Sequence, residues 1–79
     1  SLERVVLRFD EPWWTPSGIT APGIGLVGAR WSEWYDVSAN TGIPTLVGFC
    51  GGRAADGMPA SDTGVVAEAV SELTRAFAN

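Results

Sequence analysis

Histidine and lysine are both missing from this chain, and cysteine occurs once. Without histidine the commonest general base and metal ligand are gone, and without lysine so are the Schiff-base amine and the phosphate-loop cation. Most self-contained catalytic schemes are closed by these two absences. One cysteine excludes an internal disulfide, and Cys50, at the end of the apolar run "LVGFC", reads as a small buried hydrophobe rather than a reactive thiol. Positive charge is also scarce. Five arginines against nine acids leave a net charge of −4, and no basic stripe of the kind that neutralises phosphates, so a nucleic-acid partner is not expected. No apolar run approaches membrane-spanning length and no charged-then-apolar leader is present, so the expectation is a soluble, cytoplasmic chain without a membrane partner.

What is present is 79 residues, 46% of them hydrophobic, with four tryptophans. That is enough for one folded domain, although a domain of this length buries only about 60% of the surface its unfolded chain exposes. Large aromatics can fill such a thin core, and they are also what a domain offers a neighbour. The carboxylates Asp10, Glu11, Glu33, Asp36, Asp56 and Asp62 stand mainly beside turn residues, as solvated turn and cap acids do.

The opening "ERVVLRFDEP" alternates, with Val5, Leu7 and Phe9 on one side and Arg4, Val6, Arg8 and Asp10 on the other, which predicts a half-buried strand ended by Pro12. "EPWWTPSGITAPG" is a loop in which Trp13 and Trp14 either fold back over the sheet edge or face a partner. A weak, glycine-interrupted strand is expected over residues 24–29 and an aromatic one over residues 30–37. "SANTG" reads as a turn. "TLVGFC" is a continuous apolar run fitting a central strand covered on both faces. After a glycine-rich connection with one helical turn at Arg53 to Asp56, Ser61-Asp62 offers a capping side-chain oxygen to a helix. Its apolar stripe is Val66, Val70, Leu73 and Phe77, with Glu68, Glu72 and Arg75 opposite, and it docks on the sheet. The fold class is therefore α+β: three or four mainly antiparallel strands and a C-terminal amphipathic helix in a single domain over residues 1–79.

"GIGLVG" at Gly23 to Gly28 has the glycine spacing of a dinucleotide-binding fingerprint. That motif must follow a strand and open a helix, so that the helix N-terminus faces the pyrophosphate. Here "PSGITAP" precedes it, an aromatic strand-like stretch follows, and no carboxylate stands near Gly42 to Gly48 to hold a ribose. A glycine-kinked strand accounts for it better.

In order, "ERVVLRFDEPWW", "WSEWYDV", "IPTLVGFCGGRAADGM" and "SDTGVVAEAVSELTRAFAN" resemble one stretch of the flavin-containing amine oxidases, the family of monoamine and polyamine oxidases and flavin-type histone demethylases. The likeness runs over nearly the whole chain. It implies part of the substrate-binding domain of a larger enzyme, in which a mixed sheet backed by helices forms a cavity wall. It further implies FAD-dependent oxidation of an amine carbon–nitrogen bond to an imine, with the cofactor carrying the chemistry and the protein supplying shape. The flavin-binding segments of that family have no counterpart here, so FAD is expected in the parent enzyme and not on this chain, which alone would not be catalytic. Arg4 matches the position of the family's flavin-proximal lysine. Arginine is planar and always charged, so an ion pair with Glu3 or Asp10 is the competing role. Leu26, Trp34 and Tyr35 fall where the family's substrate cavity runs, with a one-residue slip exchanging inside for outside. Partners implied are the remainder of the oxidase and a small amine. Pairing of the chain with itself through sheet edges is a further expectation. The rival reading is a free-standing protein- or peptide-binding module that uses exposed tryptophans and an edge strand.

Overall fold

Alternation of apolar and charged residues builds the first strand, β1 (Leu2–Arg8), and the uninterrupted run builds its partner, β4 (Thr45–Gly51). In the computed structural model, which describes residues 2–14, 24–51, 57 and 59–77, these two lie antiparallel along their full length, with Val5 opposite Gly48 and Leu7 opposite Leu46. Two further strands complete the sheet, the two-residue β2 (Ile24–Gly25) and β3 (Glu33–Asp36). The order is β1-β4-β3-β2 and every pairing is antiparallel. A helix, α2 (Asp62–Ala76), packs on one face, so the α+β expectation is met. The expected turn at residues 38–42 is instead one helical turn, α1 (Ser38–Thr41), ended by Gly42 in the left-handed region at φ 79°. The helical turn expected at Arg53 to Asp56 lies outside the described residues.

Beneath α2 the core comprises Val5, Leu7, Trp14, Trp31, Trp34, Leu46, Cys50, Ala69 and Leu73, with Phe9, Leu26, Val65, Val70 and Phe77 packed against it. Ser61 caps α2 as expected: its hydroxyl accepts from the Gly64 amide at 3.0 Å. The apolar stripe needs one correction. Val66 is 40% exposed, and Ala69, fully buried, takes its place in the core.

Three other expectations change. β4 is an interior strand, but its second face is covered only at one end, where α1 buries Thr45 through Ser38 and Thr41; Val47 and Phe49 are half-buried on that face, with no long helix over them among the described residues. The strand expected over residues 24–29 stops at Gly25. The chain turns at Leu26 to Ala29, closed by the Ala29 amide donating to the Leu26 carbonyl at 3.4 Å, with Gly28 at φ 84°. Strand, turn and strand thus replace the helix that a nucleotide loop would require. Lastly, Glu68 and Glu72 do not face solvent. They point into the join between α2 and the segment before β3.

Candidate functional site

Two faces of one sheet carry different chemistry. On the helix face the buried tryptophans all place their indole N–H groups on acceptors, as buried indoles need to. Trp34, fully buried, donates to the Trp31 carbonyl at 2.7 Å. Trp14 donates to Asp36 Oδ2 at 2.9 Å, and Trp31 donates to Glu68 Oε1 at 3.3 Å. Glu68 also pairs with the Arg30 guanidinium, Nε to Oε1 at 2.7 Å. Glu72 accepts from two backbone amides, those of Arg30 at 2.9 Å and Trp31 at 2.8 Å. One turn of α2 therefore clasps the segment that leads into β3. Opposite Trp34 in the ladder lies Gly48, where an added Cβ would fall 2.7–2.8 Å from the indole carbons, so only glycine lets that ring lie across β4.

Asp36 ends β3 and holds three donors: the Trp14 indole through Oδ2, and through Oδ1 the Ser38 amide at 2.9 Å and hydroxyl at 2.6 Å. Burial works to raise its pKa, but the bonds from Ser38 and Trp14 outweigh burial and keep the carboxyl below its ordinary value. Of the two tryptophans after β1, Trp14 has folded back into the core. Trp13 is 38% exposed, yet its ring stacks edge-on with Phe9, Trp14 and Phe77 at centroid distances of 5.5–5.8 Å.

Among the described residues no long element packs over the other face. Cross-strand pairing sets Arg4 and Glu33 beside Phe49, and Val6 and Tyr35 beside Val47, in two rows across three strands. Val6 is 42% exposed; Tyr35 and Phe49 meet edge-on at 5.8 Å. The Tyr35 hydroxyl donates to Glu33 Oε2 at 3.1 Å, and that hydrogen bond, with the carboxylate's charge and some burial, raises the phenol pKa above its ordinary value. Cys50 lies on the helix face, buried, with burial pushing its thiol pKa up, so it serves as core.

The sequence-derived site residues separate between the two faces. Arg4 and Tyr35 share the open face. Trp34 is locked under α2, and Leu26 packs against the core from the turn after β2, where with Val27, Glu72, Arg75 and Ala76 it lines a shallow groove of about 180 Å³. Arg4 makes no ion pair with Glu3 or Asp10 among the described residues. Glu3, as its strand neighbour, projects to the other face. Among the described residues no cluster of side chains could hold a metal ion, and none forms the strand-to-helix glycine loop that FAD requires. The sequence reading missed the Arg30–Glu68 and Glu72 clasp. Its signal was two acids four apart on one helix face, an arrangement that repels unless something receives it. The chain matches no family model, no curated protein and no solved structure.

Proposed function

We propose that this chain is the substrate-cavity part of an FAD-dependent amine oxidase, a wall on which the rest of the parent enzyme closes. The carrying observation is the second sheet face, on which exposed Val6 and half-buried Val47, Tyr35 and Phe49 lie together, with Arg4 at the margin and no large element packed over them among the described residues. Such a surface suits an amine cavity, because an amine loses its water shell before its carbon–nitrogen bond is oxidised. Tyr35 is the residue of this chain that would touch substrate; Trp34 and Leu26 hold the wall from behind. On this reading FAD belongs to the remainder of the parent. The buried free thiol of Cys50 agrees with a cytoplasmic protein.

The experiment is to purify the polypeptide encoded by the whole gene. The reading expects bound flavin that is bleached anaerobically by an amine, and a Tyr35→Ala variant with unchanged flavin content and an altered KM. A gene product that binds no flavin overturns it. A peptide-binding module is the second reading. Trp13 gives it little support, being held by three neighbouring rings, but the free edge of β1 supports it directly.

A further inference from the structure

The two ends of the sheet differ. β2 is two residues long and contains a glycine, too short to template a new strand. β1 is seven residues long without proline, and among the described residues it has a strand partner on one side only. Along it, Arg4, Val6 and Arg8 occupy the open face, all exposed, with the two arginines about 13 Å apart by strand rise. Neither guanidinium group makes an ion pair or hydrogen bond among the described residues, whereas that of Arg30 is fixed by Glu68. Among the described residues, the one strand edge long enough to pair thus carries two positive charges with no partner there, in a chain of net charge −4.

We infer that the outer edge of β1 docks an extended polypeptide segment of acidic-apolar-acidic pattern, its acids four residues apart, as a fifth strand. Backbone hydrogen bonds to the edge supply the attachment, and cross-strand pairing of the two acids with Arg4 and Arg8, around an apolar residue on Val6, supplies the choice of partner. A second copy of this chain is the wrong occupant. Two-fold antiparallel pairing centred on Val6 sets Arg4 directly against Arg8 of the copy. Centred on Val5, it places Arg4 diagonal to both arginines of the copy. Like charges meet in either register, so the arginines that reject self-pairing are those that accept an acidic strand.

This inference does not depend on the flavin reading. It is tested by nuclear magnetic resonance titration of the 79-residue chain with a capped synthetic peptide of β1's own length. The peptide carries glutamate at its second and sixth positions, valine at the fourth and threonine elsewhere; its counterpart has lysine for glutamate. The glutamate peptide is expected to shift the amides of Leu2 to Arg8, slow their hydrogen exchange and bind about tenfold more tightly than the lysine peptide. In the Arg4→Glu/Arg8→Glu variant, checked for folding by its tryptophan fluorescence, the preference should reverse. Equal binding of both peptides, absence of saturable binding, shifts centred away from β1, or dimerisation of the chain through β1 overturns the inference. A gene product without flavin would sink the cavity-wall reading and leave this one standing; a titration without binding would do the reverse.

Discussion

The helix face and the open face of this sheet are made by the same three strands, residue by residue in alternation, yet among the described residues only one of them is finished. Under α2, Trp14, Trp31 and Trp34 are buried and each indole has an acceptor. Across the backbone, Val6, Val47, Phe49 and Tyr35 form an apolar surface that no described element covers. A small domain has apolar area for one good core, and this chain has spent its large side chains on one side. The difference locates stability and interaction on opposite faces, so substitutions on the two faces should separate cleanly.

The largest effect is expected at Trp34. Trp34→Ala empties the centre of the core and should cost about 3–5 kcal/mol, against a total of roughly 4–12 kcal/mol for a domain of this size. Gly48→Ala attacks the same contact from below and should cost about 1–3 kcal/mol, because neither the buried indole nor the β4 backbone can yield. Urea denaturation followed by tryptophan emission measures both; a Gly48→Ala variant as stable as the parent would refute the packing described.

Next comes the clasp. Glu72→Ala leaves the Arg30 and Trp31 amides without their acceptor and should cost about 1–3 kcal/mol, with Glu72→Gln recovering part of the loss. The same denaturation curves report it, and faster hydrogen exchange at those two amides would place the damage.

Acid should weaken the Trp14 anchor. The Asp36 carboxyl has its folded pKa below the ordinary value of 3.8, so its contribution is complete above that pH and is lost as pH falls through the folded value. Asp36→Asn should flatten the acid limb of the stability profile in that window and leave its shape at neutral pH unchanged. The smallest effect belongs to the open face. Val6→Thr should change stability by no more than about 0.5 kcal/mol, and a loss as large as that of Gly48→Ala would mean that this face is core after all.

Local pattern carried much of this architecture in the sequence. Period-two alternation marks Val5 and Leu7 as buried, and a serine three residues before its bonded amide marks the start of α2. Proline and glycine delimit the strands, but their order does not follow from sequence neighbours, because β1 lies beside β4 and not beside β2. What escaped depends on distant partners. Glu68 and Glu72 look solvent-facing on a helical wheel because the residues that donate to their carboxylates, Arg30 and Trp31, lie some forty residues earlier in the chain. Ala69 carries little hydrophobic signal although it is fully buried, while the more apolar Val66, three residues before it, is exposed. Gly48 reads as one small residue in an apolar run until the strand opposite is known to present Trp34. Of the candidate site, Tyr35 and Arg4 were legible as residues. Their common face follows from register, and the sequence alone left that open by one residue.

Among the described residues the sheet has one finished face and one face open to a further surface. A soluble paramagnetic agent added to the folded 79-residue chain tests that division most directly, by its broadening of side-chain methyl resonances. Strong broadening is predicted at Val6 and Val47 and none at Leu46 and Leu73; equal protection of all four would contradict the claim.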